Sequence, residues 1–280
     1  MAIDLATKFS PLVDETFTSE SRTSLVTNTD YDFVGSHSIK VYSVGTASMN
    51  DYARNTTGLN RYGTPADLSA TATEFTMERD RSFTFVIDAM DEDETLGALN
   101  AGTALARQIS EVVIPEVDLY TYGKMVSGAG KVKYSIDVTA QNFSAYEEMT
   151  DATEYQDDKK VPIDGRVLIC NPTFYKGLKK DEKFILDSEI GQDMRIRGVV
   201  GMCDGMLVQK VPSSVLPANV LFIVAHPVAT TLAIKLAEYK IHTEAPGVSG
   251  SLVEGRLYYT AFVRPNKKEA IYVGKSSASV

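Results

Sequence analysis

The 280-residue sequence predicts an α+β protein on three observations: a long run with helical spacing at 94–126, strand-like alternation on both sides of it, and two long N-terminal stretches without a sustained period. The expected architecture is one long helix, a mixed sheet and two appendages early in the chain.

Residues 1–34 scatter Ile3, Leu5, Phe9, Leu12, Val13, Phe17, Leu25 and Val26 among serines, threonines and acids, the pattern of an arm lying on something else. SIKVYSV, 38–44, is a short strand, and the Asn-, Thr-, Gly- and Tyr-rich stretch 45–72 has turn chemistry throughout. In FTMERDRSFTFVID, 75–88, one alternate set is Phe75, Met77, Arg79, Arg81, Phe83, Phe85 and Ile87, while the other is polar except Val86. Such a strand would reach roughly 45 Å, beyond the usual length in a compact domain. Residues 35–90 are therefore expected to form a projecting hairpin whose apolar face needs a surface, supplied by a neighbouring copy.

The acidic run 91–94 suits a helix N-terminus. Leu96, Leu99, Leu105, Ile109, Val112, Val113, Val117, Tyr120 and Met125 then keep helical spacing until Gly128 and Gly130. The helix would be about 50 Å long. Pro115 stands inside it, removing a backbone hydrogen bond and crowding the preceding turn at about 3 kcal/mol, so tertiary packing must hold the helix, bent at that point.

Farther on, KVKYSIDV places Val132, Tyr134, Ile136 and Val138 on one strand face, and an acidic helix is expected at 143–155. RVLICNP is a short buried strand followed by a helix capped by Asn171, and Asp204-Gly205 marks a hairpin turn. The apolar run 220–236 reads as a buried strand and then a helix starting at Pro227; a second hairpin is expected around Pro265 and Asn266.

Hydrophobic residues at 44% and charged ones at 23% are ordinary for globular chains. A net charge of −9 argues against a dedicated nucleic-acid binder, though not against a container that encloses nucleic acid. The two cysteines cannot build a disulfide framework, the first residues lack a secretory pattern, and the run at 220–236 is too short and broken to span a bilayer. The protein is expected to be intracellular when made.

Chemistry-bearing patterns are weak. His37, His226 and His242 lack metal-site spacing; GAGK at 128–131 has Val132 where a phosphate loop needs Ser or Thr; GVSGS at 247–251 is not a nucleophile elbow. The 91–94 acids could hold a divalent cation, but helix capping is their commoner use. Cys170 and Cys203 read as packing residues, and the Asn55 sequon means little without a secretory signal. Arg79 and Arg81 differ, because both fall on an otherwise apolar strand face. Either the strand twists and they reach water, or their guanidinium forks pair with carboxylates on another subunit. The candidate inter-subunit residues are thus Arg79, Arg81, Phe83, Phe85 and Ile87.

MAIDLATKFSPLVDETFTSESRTSLVTN, MERDRSFTFVIDAMDEDET followed by RQISEVVIPEVD, GRVLICNP, and the run from FIVAHPVATTLAIKLAEYKIHTEAPGVSG to EAIYV together resemble the major capsid proteins of tailed bacteriophages. These have the Hong Kong 97-type fold that encapsulin shells share. The resemblance spans nearly the whole chain and rests on the order of stretches, with no single chemical motif. It implies an N-terminal arm at 1–34, an extended loop at 35–90, the spine helix and first part of the peripheral domain at 91–140, the axial domain at 141–245, and C-terminal peripheral strands at 246–280. Pro115 then belongs to a spine helix that packing across a sheet can support although bent. The implied function is a coat protein that self-assembles through hexamers and pentamers into an icosahedral shell around double-stranded DNA. No enzyme activity, cofactor, metal or membrane is implied. The implied location is the virion, after assembly in the host cytoplasm, with scaffolding and portal proteins as partners. No long charged helical segment precedes the arm, so scaffolding would come from a separate protein or a leader. The alternatives are an encapsulin-like shell and a cytoplasmic enzyme with an inter-subunit site.

Overall fold

The computed structural model describes residues 21–31, 33, 37–55, 61–65, 67–95, 100–140, 143–180, 199–243 and 245–277. The chain divides into two compact units, Phe33–Met77 and the remainder.

In the small unit, Ser38–Val44 (β1) pairs antiparallel with Ala70–Thr76 (β2), Ser38 standing opposite Thr76 and Val44 opposite Ala70. Gly45 N–H donates to Ser69 O at 2.8 Å, and Ala53 N–H to Arg61 O at 3.0 Å, beside an edge-to-face Tyr52–Tyr62 pair. Two strands alone bury little, and Tyr42, Val44, Met49, Tyr62 and Leu68 are exposed.

The larger unit runs through Arg79–Asp88 (β3), Ala89–Glu94 (α1), Ala101–Gln108 (α2), a π-helical turn at Ile109–Val113, and Ile114–Ser127 (α3). It continues with Lys131–Ile136 (β4), Ala145–Asp158 (α4), Val167–Cys170 (β5), Pro172–Lys180 (α5), Val199–Cys203 (β6), Met206–Lys210 (β7) and Val220–Ala225 (β8). Thr230–His242 (β9), Gly250–Val263 (β10) and Ile271–Ser276 (β11) complete it. One sheet has the order β3-β10-β9; the other has six strands in the order β4-β11-β8-β5-β7-β6.

Two cores flank the six-stranded sheet. Val167, Ile169, Ile223 and Ala225 join Tyr122 and Met125 of α3 and Val26, whereas Leu168, Cys170, Phe222 and Val224 join Met149 of α4 and Phe174 and Leu178 of α5. Burial on both faces is why VLIC and VLFIVA read as unbroken apolar runs. Local signals match the structure here. Ser144 Oγ caps α4 by accepting from Glu147 N–H, and Asn171 Oδ1 caps α5 by accepting from Phe174 N–H at 2.7 Å. Asp204 and Gly205 both take positive φ, 50° and 72°, as a two-residue turn between antiparallel β6 and β7 requires.

Five expectations are corrected. The single strand at 75–88 is two strands, and β3 pairs with β10, not with β1. The helix expected from Pro227 is strand β9. His226 and Pro227 form a tight turn, with Val228 N–H donating to His226 Nδ1 at 3.1 Å, and pairing with β10 then outweighs the helical leaning of Leu, Ala and Lys. No hairpin forms at Pro265: the 3₁₀ turn Pro265–Ala270 carries the chain from one sheet to the other, and proline suits its first position. In β4, Ser135 takes φ 64° and the ladder with β11 shifts, so Tyr134 is exposed while Ile136 is buried. The acids at 91–94 belong to the separate helix α1, capped by Asp88, rather than opening the long helix.

Described continuous winding of the long helix starts at Ala101, after the Asn100 cap, and ends before Gly128, about 40 Å at 1.5 Å per residue. Leu96 and Leu99 lie outside the described residues, as does most of the expected arm. Pro115 sits in the first turn of α3 directly after the π turn, where Ile114 N–H reaches back five residues to Ile109 O. The widened turn relieves the carbonyl that a proline ring would crowd in regular α-winding. Because the winding runs unbroken from the π turn into α3, proline still forfeits one backbone bond there, which the packing of the helix must offset.

Candidate assembly surface

Arg79, Arg81, Phe83, Phe85 and Ile87 come together on one face of β3, turned toward the long helix of the same chain. Alternate strand residues advance about 6.6 Å and every fourth helical residue about 6 Å, so strand and helix can stay in step. At one end Phe83, Phe85 and Ile87 pack with Ala101, Ala104, Leu105 and Val253. Next, Arg81 Nε donates to Glu116 Oε1 at 2.6 Å, and the Arg79 guanidinium lies 5.1 Å from the centre of the Tyr120 ring. Beyond the strand, Tyr120 Oη donates to Glu78 Oε2 at 2.9 Å and Lys124 Nζ to Glu78 Oε1 at 2.8 Å.

These bonds set the charges. The Lys124 hydrogen bond holds the Glu78 carboxyl below its usual value; burial is the largest single influence on Lys124 and pulls it down, but the hydrogen bonds and charges of Glu78 and Tyr120 together outweigh that and raise it. The hydrogen bond to Glu116 likewise raises the Arg81 guanidinium. The sequence signal for this ladder is the polar spacing Glu116, Tyr120, Lys124 at i, i+4, i+8; taking Tyr120 as an apolar position hid it.

Thus the apolar face of β3 has an intramolecular cover, and burying its phenylalanines does not require a second copy. Arg81 nevertheless leaves 57% of its side chain exposed. Beside the ladder runs a groove of about 480 Å³ lined by Arg79, Leu119, Tyr120, Gly123, Lys124 and Pro217. The opposite sheet face is polar, with Arg256 gripping Asp80 through two bonds of 2.9 and 2.6 Å and His242 lying 3.4 Å from Glu254.

His226 faces Asp164 O through Nε2 at 2.9 Å, and burial lowers its pKa. Burial pushes Cys170 up to about 12 and Cys203 to about 11. Among the described residues no group of three or more His, Cys, Asp or Glu is placed to hold a metal ion, and no helix is long and apolar enough to cross a membrane.

A long helix laid along a three-stranded sheet, a six-stranded mixed sheet with cores on both faces, and a separate two-stranded unit are the elements of a Hong Kong 97-type fold. The chain belongs to the phage capsid protein family, whose model matches residues 70–273. It is a structural protein, a phage major capsid protein of the virion. A structure from Mycobacterium phage Che8 is 17% identical with a TM-score of 0.73, with 98% of each chain covered. The capsid structure of cyanophage P-SCSP1u is 15% identical with a TM-score of 0.73, covering 99% of this chain and 94% of that one. The mature capsid of bacteriophage PhiM1 is 12% identical with a TM-score of 0.74, covering 99% and 93%. Comparison with curated protein sequences finds no match. Family membership disfavours both the encapsulin-like and the enzyme alternatives.

Proposed function

We propose that the protein assembles through hexamers and pentamers into an icosahedral shell in the host cytoplasm, guided by scaffolding and portal proteins, without enzymatic activity. The shell encloses double-stranded DNA without sequence-specific contacts, consistent with a net charge of −9, which gives phosphates no basic surface overall. The observation that carries the reading is the unit Phe33–Met77, whose exposed Tyr42, Val44, Met49, Tyr62 and Leu68 are more apolar surface than so small a unit keeps in water without a partner. In this reading 1–34 is the arm, 35–90 contains the extended loop, 91–140 the spine helix and first peripheral part, 141–245 the axial domain and 246–280 the last peripheral strands. Arg79, Arg81, Phe83, Phe85 and Ile87 contribute to contacts between subunits only through what the helix leaves open, chiefly the Arg81 guanidinium. Electron microscopy of the purified protein tests the proposal: closed shells or hexamer and pentamer rings are expected, and a small oligomer under all assembly conditions would overturn it.

Pro115→Ala restores an N–H to the spine helix and favours regular α-winding over the π turn. Unchanged circular dichroism of the subunit with altered assembly products is expected, if the irregular winding, and any bend at Pro115, serves subunit shape. Normal shells at normal yield would show the irregularity to be incidental.

A further inference from the structure

Asp118 lies in the middle of α3 with 2% of its surface exposed. Ser21 Oγ donates to its Oδ1 at 3.0 Å and Thr23 Oγ1 to the same oxygen at 2.8 Å, while the Arg22 backbone N–H donates to Oδ2 at 2.9 Å. All three donors come from consecutive residues just before a short 3₁₀ turn or at its start, and none from the helix that carries the carboxylate. A second fastening follows at Asn28. Its Nδ2 donates to Pro227 O at 2.8 Å, its Oδ1 accepts from Thr231 Oγ1 at 2.7 Å, and its backbone bonds Thr230 and Leu232 at 2.9 and 3.1 Å. Between the two points Val26 is fully buried in the α3 core. Residues 21–31 therefore form a strap from the spine helix to the start of β9.

A carboxylate is a poor choice for stability at this place. Burial raises the pKa of Asp118, and its three hydrogen bonds only partly oppose that. Its helical neighbours Thr121, Tyr122 and Met125 are buried, and a well-packed apolar side chain is often at least as stabilising as a buried charge. What the carboxylate adds is direction: two oxygens accept from three donors in one arrangement, so the strap has one register on the helix.

We propose that Asp118 is a positioning residue for assembly, fixing where the N-terminal segment enters the subunit body, so that losing the clasp spoils shell formation while the body stays folded. This rests on the shell-forming reading above. The test uses full-length protein and trypsin cleavage after Arg22, read beside assembly yield and near-ultraviolet circular dichroism. Asp118→Leu is expected to be cut at this bond at least tenfold faster than wild type and to lose ordered shells. The double variant Ser21→Ala/Thr23→Val, which keeps the carboxylate, should reproduce both effects. Asp118→Asn keeps one acceptor oxygen and should fall between them and wild type. Wild-type cleavage at Arg22 in folded Asp118→Leu would overturn the proposal. If Asp118→Leu fails to fold, the double variant decides: wild-type cleavage and assembly would confine Asp118 to the stability of its own helix. Wild-type protein that forms no shells would refute the shell reading, while cleavage rates would still decide the clasp.

Discussion

A Gly274→Val subunit is expected to unfold roughly 6–12 °C below wild type, from an overpacking cost of about 3 kcal/mol and about 2–4 °C per kcal/mol in chains near this size. Gly274 stands on β11 directly opposite Phe222 of β8. A Cβ at Gly274 would lie 2.2 Å from Phe222 Cε1, 2.6 Å from Cδ1 and 2.7 Å from Cζ, well inside contact distance. The ring cannot swing aside, because Phe222 is fully buried, with Phe174 4.5 Å away between ring centres and Tyr272 6.1 Å away. Glycine is needed there for room rather than for an unusual backbone angle. Phe222→Leu would thin the obstruction, so the double variant should be more stable than the sum of the single effects predicts. Strict additivity, measured by thermal and urea unfolding, would refute the steric account.

Elements governed by neighbours in sequence were legible in it: Asn171 as a cap, Asp204-Gly205 as a turn, Gly128 as the helix stop, and the buried run of β5. Each is decided by one to four adjacent residues. The errors fall where a distant partner decides. β9 has alternation weak enough for its Leu, Ala and Lys to read as helix, and β10, beginning eight residues later, makes it a strand. The period of β3 was plain, but period two says only that one face is covered, not by what; its cover is a helix, and its strand partner Tyr259 lies 180 residues beyond Arg79. Pro115 signalled an irregular helix, yet only the structure shows that the irregularity is a π turn before it. The Asp118 clasp had no local signal, since its donors are 95 to 97 residues away.

Arg81→Glu is expected to loosen β3 from the spine helix and to reduce assembly, and Glu116→Arg in the same chain should restore both. In wild type Arg81 makes two bonds to Glu116, 2.6 Å from Nε and 3.4 Å from Nη2. Reversing one charge sets two carboxylates at that spacing, one helical turn from the Tyr120 that bonds Glu78. Both partners are substantially exposed, so screening is strong and salt should shrink the defect. The neighbouring Glu78 gives the pH sense: its folded pKa lies below its usual value, so its contribution is present at neutral pH and lost as pH falls through that lowered value. Adding Arg79→Glu removes the cation over Tyr120 and should deepen the loss. Mixing separates a bond within the chain from one between chains. Subunits carrying Arg81→Glu, mixed with subunits carrying Glu116→Arg, recover shells only if the pair forms between neighbours, whereas a pair within one chain recovers only when both changes share that chain. Recovery in the mixture would therefore move Arg81 from the subunit's own scaffold to the contact between subunits.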